Sequence, residues 1–146
     1  MSNSPLLEVN DLSISIGQKD IVANVSFSIE KGKTLAIVGE SGAGKSLIAH
    51  SILQLLPENT RYPTGEIKLK GQPMIGQEQA VLESIRGNQV SMIFQEPMTS
   101  LNPLHTIDKQ IKETLLIHKG ITGKPAQDRT IELLDLVGIK DPVSRL

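Results

Sequence analysis

The chain has 146 residues, 38% of them hydrophobic and 21% charged, which is typical of one globular domain with a sizeable core. No apolar run approaches the roughly 20 residues of a membrane-spanning helix, and there is no cysteine for disulfides or thiolate metal sites. The formal net charge of -1 gives no long-range attraction to phosphate backbones, which argues against nucleic acid as a partner.

The first third of the chain predicts two antiparallel strands and then a buried one. Residues 1–5 have neither the basic start nor the apolar core of a secretion signal, so the default location is the cytoplasm. Residues 6–16 and 25–29 alternate apolar and polar side chains, which predicts half-buried strands joined by a turn at 17–20. Residues 35–38 are uninterruptedly apolar, which is typical of a parallel strand covered on both faces.

The middle of the chain predicts a helix, an edge strand, a short helix and a core strand. Leucine and isoleucine recur at helical spacing from residue 47 to the end of the pattern at Pro57, and a loop is predicted over 58–63. Residues 66–71 alternate with lysines on the polar side, which favours an exposed edge strand. A short helix is predicted over 78–85 and a core strand over 90–94.

The last third of the chain is helical in pattern. A stripe of Leu and Ile from 104 to 115 predicts one helix, which Gly120 can cap. Pro125 can open a second helix that ends at Gly138. A mixed sheet region is therefore followed by a helical region.

The segment GESGAGKS matches the phosphate-loop pattern G-x-x-x-x-G-K-[ST] and lies between a predicted buried strand and a predicted helix. Glycines let backbone N–H groups line the inside of a loop, and the start of the helix adds positive potential. Lys45 can bridge the β- and γ-phosphates of ATP, and Ser46 can place its hydroxyl on Mg²⁺. The predicted nucleotide-binding residues are Gly39, Glu40, Ser41, Gly42, Ala43, Gly44, Lys45 and Ser46.

A second segment distinguishes among nucleotide-binding families. Residues 90–107, VSMIFQEPMTSLNPLHTI, closely resemble the Q-loop region in the ATP-binding subunits of ABC-type peptide importers. The resemblance extends from LLEVNDLSIS near the N-terminus to LLDLVGI near the C-terminus. It implies an α/β fold of the P-loop NTPase type, in which an antiparallel β subdomain joins part of a parallel core sheet and the start of a helical subdomain.

The resemblance also implies domain limits, partners and a metal contact. Residues 1–146 would be the N-terminal portion of one nucleotide-binding domain, with about 6–100 in the β subdomain and P-loop core and about 104–140 in the helical subdomain. Gln95 would be the Q-loop glutamine, which reaches Mg²⁺ and the attacking water. The partners would be transmembrane permease subunits, a second ATP-binding domain placed head to tail and, indirectly, a periplasmic or extracellular peptide-binding protein. The subunit would lie on the cytoplasmic face of the membrane.

Two departures from the family pattern change what we expect of this chain. Where relatives carry an aromatic residue that stacks on adenine, this sequence has Ile16, so we expect an aliphatic contact with the base. No signature motif, acidic Walker B strand or switch histidine follows in the sequence, so we expect weak nucleotide binding and no meaningful turnover by this chain alone. Because that acidic strand would belong to the central sheet, residues 35–38 and 90–94 should leave apolar surface exposed.

Two other functions remain open on the sequence. A small self-contained P-loop kinase or NTPase would need a carboxylate on a strand beside the phosphate loop. Asp135 is the nearest candidate, although the surrounding sequence favours a position on the solvent-exposed face of an amphipathic helix. A truncated binding module without chemistry would dock through the Gln95 region. The histidines His50, His105 and His118 are scattered, which is typical of packed or solvated residues rather than ligands.

Overall fold

The computed structural model describes residues 4–96 and 101–145. By its contacts the chain forms two compact units, Met1–Glu83 and Ser84–Leu146. No helix in the described part of the chain is long and apolar enough to cross a membrane.

The first unit is built on an antiparallel sheet. Its strands are β1 (Leu7–Ile16), β2 (Lys19–Ile29), β3 (Thr60–Arg61), β4 (Glu66–Leu69) and β5 (Gln72–Pro73). Their order is β2-β1-β4-β5, and β3 pairs with the far end of β1. The antiparallel strands predicted at 6–16 and 25–29 are confirmed, whereas the edge position predicted for β4 is wrong because β1 and β5 flank it.

Side chains of the sheet, of two short helices and of the segments between them form the core of the first unit. Helix α1 (Lys45–Ile52) ends earlier than its apolar pattern, because Gln54 adopts a left-handed conformation with φ 54° and its side chain donates to the Ser51 carbonyl at 2.6 Å. The buried apolar residues are Leu7, Val9, Leu12, Ile14, Val22, Ile48, Leu53, Ile67, Leu69, Met74 and Leu82.

The prediction of strands at 35–38 and 90–94 is wrong. Residues 33–40 and 91–94 adopt no regular structure. An uninterrupted apolar run becomes a strand only where neighbours pair with its edges and other layers cover its faces. The apolar exposure expected of both segments is confirmed: Val38 is 88% and Ile93 96% exposed.

The second unit is helical, as predicted. Helix α2 (Gln79–Ile85) crosses the boundary between the units, and α3 (Ile107–Lys119), α4 (Gly123–Leu136) and a 3₁₀ helix (Pro142–Arg145) follow. Gly120 ends α3 in a left-handed conformation with φ 65°, which confirms its predicted role as a cap. Helices α3 and α4 pack together, and their buried residues are Leu115, Ala126, Thr130 and Leu134.

The start of α3 offers a test of local stability. The Thr106 hydroxyl accepts a hydrogen bond from the Lys109 N–H at 3.2 Å, whereas Thr122, at the start of α4, makes no side-chain cap bond. Thr106→Ala should therefore lower the free energy of unfolding by about 1 kcal/mol. Thr122→Ala is the matched control, and urea unfolding followed by helical circular dichroism measures both. Equal losses in the two variants would contradict the capping role.

Candidate functional site

The phosphate loop, residues 39–46, connects the irregular segment 33–38 to helix α1. Gly42 and Gly44 have φ angles of 83° and 82°, values that side-chain-bearing residues rarely adopt. Gly44 is the residue immediately before α1, so its left-handed conformation sets the direction in which the helix starts. The second glycine of the motif, Gly44, and the additional Gly42 therefore match backbone requirements of the loop.

Lys45 closes the phosphate loop with its own side chain. Its Nζ donates to the carbonyl of Gly39 at 2.8 Å and to that of Glu40 at 2.6 Å. The Glu40 carbonyl also accepts from the Ala43 N–H at 3.2 Å, which forms a tight turn inside the loop. An ammonium group has three N–H donors, so one donor of Lys45 remains for a further acceptor.

The main-chain donors of the loop are available to an acceptor. Among the described residues, no acceptor is recorded for the N–H groups of Gly42, Gly44, Lys45 and Ser46. The first N–H groups of a helix have no partner inside it, and the aligned peptide dipoles place positive potential at that end. A Cβ added at Gly42 would meet nothing within 4 Å, so the space beside this backbone is open. The arrangement fits a phosphate group.

Gly44 fixes the loop against the antiparallel sheet. A Cβ at this position would lie 2.8 Å from Cγ2 of Val22 and 3.6 Å from the carbonyl oxygen of Ile21, both in β2. Gly44 itself is buried. The absence of a side chain at Gly44 thus allows the start of α1 to approach β2 directly.

Ser46 and Ile16, the two other residues predicted to contact the nucleotide in this unit, remain accessible. Ser46 is exposed in the first turn of α1, and its carbonyl accepts from Nδ1 of His50 at 2.5 Å. Ile16 is half-buried at the end of β1, where it pairs with Lys19 of β2 and Thr60 of β3.

Gln95 belongs to the second unit and is exposed. Residues 97–100, which contribute to the Q-loop resemblance, lie outside the described residues. Within the described ranges, no group of three or more His, Asp or Glu side chains is arranged to hold a metal ion. The contact predicted between Gln95 and Mg²⁺ stays a prediction.

Asp135 does not provide the carboxylate that a self-contained kinase would need. It lies in α4 and is exposed, as its helical surroundings predict, rather than at the end of a strand. His50 contacts Ser46 and His105 contacts Lys109 at 3.0 Å, each four residues away along the chain. Nε2 of His118 lies 2.8 Å from the position that a Cβ would take at Gly87.

One side chain near the end of β1 was missed by the sequence analysis. Arg61 lies in β3 opposite Ser15, and its Nη2 donates to the carbonyl of Gly17 at 2.5 Å. The sequence predicts only a loop over 58–63, and a two-residue strand carries no periodic signal that could have located it. The pairing of β3 with β1 brings Arg61 to the turn that follows Ile16.

The sequence of the chain is similar to those of known transport proteins. The family model described as "ABC transporter" matches residues 22–146. The chain is 49% identical over 150 residues to the peptidoglycan transport ATP-binding protein YejF of Agrobacterium fabrum, covering 99% of this chain and 28% of that protein. It is 44% identical to the oligopeptide transport ATP-binding protein OppD of Bacillus subtilis, covering 97% of this chain and 41% of that protein. The chain thus spans less than half the length of these relatives.

Solved structures show the same fold. The dimeric ABC transporter cassette MJ0796 superposes with a TM-score of 0.77 at 21% identity, over 92% of this chain and 58% of that chain. A post-hydrolysis state of the MJ0796 cassette bound to ADP and Pi gives a TM-score of 0.78 at 21% identity, over 95% of this chain and 60% of that chain. Both comparisons concern the fold alone.

Proposed function

The chain belongs to the ABC transporter family, and from this membership we propose that it binds ATP within the ATPase subunit of a transporter that imports peptides. The observation that carries the proposal is the phosphate loop, in which Lys45 lies across the loop carbonyls beside N–H groups for which no acceptor is recorded among residues 4–96 and 101–145. Peptide import is supported by relatives named for peptidoglycan and oligopeptide transport.

In the proposed complex the phosphate loop holds the phosphates of ATP. The N–H groups of Gly42, Gly44 and Lys45 donate to phosphate oxygens, and the Lys45 ammonium adds a charge-assisted bond. Gly39, Glu40, Ser41 and Ala43 complete the loop and supply the carbonyls and the turn that shape it. Ile16 contacts the adenine base.

Mg²⁺ is proposed to bind with ATP. Ser46 suits this role because its hydroxyl is exposed in the first turn of α1, beside the phosphate loop. Mg²⁺ prefers oxygen ligands and in nucleotide sites uses one or two protein oxygens together with the phosphates. Gln95, with its side-chain carbonyl oxygen, is the second proposed ligand. The ion, when bound, would neutralise charge on the phosphates.

The proposed partners follow from the family. They are a second ATP-binding domain placed head to tail, transmembrane permease subunits and, indirectly, a peptide-binding protein, with the subunit on the cytoplasmic face of the membrane. Support for the first comes from the cassettes of the same fold that were solved as dimers. The β subdomain and P-loop core over about 6–100, and the helical subdomain over about 104–140, stay proposals.

A binding titration tests this function. We expect the chain to bind ATP and ADP, and to bind AMP at least about tenfold more weakly, because AMP lacks the β-phosphate that Lys45 and the loop amides would hold. Isothermal titration with and without Mg²⁺ measures the three affinities. Ser46→Ala should remove the gain that Mg²⁺ gives to ATP binding and leave binding without Mg²⁺ unchanged. Equal affinities for AMP and ATP would contradict the proposal.

A further inference from the structure

The strand pair that carries the phosphate loop continues to the end of β1. Gly44 packs on Val22 of β2, and Val22 pairs with Ile14 of β1. Ile16 lies two residues beyond Ile14 along β1, about 7 Å away, past a shift in the β1–β2 register between Ile14 and Ser15. A nucleotide whose phosphates occupy the loop therefore has the turn after Ile16 within reach of its base.

Arg61 is held at this turn by the pairing of β3 with β1. Ser15 pairs with Arg61 and Ile16 with Thr60, while the Gly17 N–H donates to the Asn59 carbonyl at 3.2 Å. The Arg61 side chain is exposed, and its Nη2 donates to the Gly17 carbonyl at 2.5 Å. Because a guanidinium has five N–H donors, this one bond leaves its plane and its other donors accessible.

The two aromatic residues of the first unit are Phe27 and Tyr62. Phe27 is half-buried in β2, where it pairs with Val9, far along the sheet from Ile16. Tyr62 is also half-buried: burial raises its pKa, and its hydroxyl accepts from the Gln54 side chain at 3.3 Å. Ile16 and the Arg61 guanidinium are the contacts that we expect a base to find at this turn.

The charges around the turn favour an electron-rich base. Lys19, opposite Ile16, is exposed and adds a second positive charge. Asp20, the second residue of β2, pairs with Ser15, and its carboxylate accepts from the Ser15 hydroxyl at 2.6 Å. No ion pair between Asp20 and Arg61 is recorded within the described residues. The guanidinium face is therefore open to a cation–π contact.

We infer that Arg61 is a base-binding residue of the proposed nucleotide site, stacking its guanidinium on the adenine that Ile16 contacts from the sheet. This inference rests on the proposed function and adds a residue to it. Arg61 acts on the base and not on the phosphates, since it lies at the turn beyond Ile16 while the loop is held at Val22. Together the two side chains replace an aromatic platform.

Inorganic tripolyphosphate separates the base contact from the phosphate contact. We expect Arg61→Ala to weaken ATP binding about threefold to tenfold, which is the range for a cation–π contact, and to leave tripolyphosphate binding unchanged. Arg61→Lys keeps the positive charge and a donor for the Gly17 carbonyl but loses the plane. We therefore expect Arg61→Lys, like Arg61→Ala, to bind ATP more weakly than the unaltered chain does. Isothermal titration of the three proteins with both ligands gives the six affinities.

Three other results of these titrations would contradict the proposed role of Arg61. Unchanged ATP affinity in Arg61→Ala, or full recovery in Arg61→Lys, would overturn the stacking role. Equal losses for ATP and tripolyphosphate would also overturn it, because the residue would then act through the phosphate loop. If the unaltered chain bound neither ligand, the proposed function itself would fail, and the role of Arg61 with it.

Discussion

Replacing Lys45 by alanine is expected to weaken ATP binding by on the order of a hundredfold, because charge-assisted hydrogen bonds contribute about 1.5 to 3 kcal/mol each. Its ammonium is the one cationic group of the phosphate loop and already lies over the loop, bound to the carbonyls of Gly39 and Glu40. The substitution removes both the donor for phosphate and the brace that holds the loop closed. Both losses act in the same direction on affinity.

Lys33→Ala is the matched control for this prediction. Lys33 is an exposed lysine shortly before the loop, and its backbone N–H alone is recorded in a hydrogen bond, to the Glu30 carbonyl. Its removal changes the net charge by the same amount as Lys45→Ala, so it measures the effect of charge alone. Binding of a fluorescent ATP analogue, with unlabelled ATP as competitor, compares the two variants. A loss of less than about threefold in Lys45→Ala would contradict a phosphate-binding role.

The phosphate loop could be predicted from the sequence because its requirements are local. Gly42 and Gly44 need positive φ angles, Lys45 reaches carbonyls five and six residues before it, and α1 begins where the motif ends. The alternation in β1 and β2 is equally local, since each strand buries one face of the sheet. Features set by neighbouring residues are the ones that a sequence pattern can indicate.

Features that depend on distant pairing could not be predicted in the same way. The run 35–38 is apolar enough for a buried strand, but a strand needs partners, and none of its residues is in one. Arg61 lies in what the sequence indicates to be a loop, and its position at the turn after Ile16 depends on the pairing of β3 with β1. The contact of Gly44 with Val22 likewise joins residues 22 positions apart.

Gly65→Ala is expected to lower the free energy of unfolding by about 3 to 5 kcal/mol, through a strained backbone and a steric clash together. Gly65 precedes β4 and has a φ of 95°. A Cβ there would lie 2.4 Å from the Asp11 carbonyl oxygen and 2.5 Å from the Leu12 Cα. Both are backbone atoms of β1, so no side-chain rotation relieves the overlap.

The backbone of β1 has little freedom to move away from this position. The Thr64 hydroxyl donates to the Asp11 carbonyl at 2.9 Å, and the Ser13 N–H donates to the Thr64 carbonyl at 3.1 Å. Leu12 is fully buried, so a shift of β1 would also disturb the core. Relief of the clash therefore requires breaking these bonds or separating β4 from β1.

Gly71→Ala separates the clash from the backbone strain. Gly71 has a φ of 80°, close to that of Gly65, but a Cβ there would meet nothing within 4 Å. This control should cost only the strain of a left-handed alanine, about 1 to 2 kcal/mol. Urea unfolding followed by circular dichroism gives both values. Equal losses of unfolding free energy in the two variants would contradict the predicted clash. They would mean that β1 moves away from the added methyl group at no measurable cost.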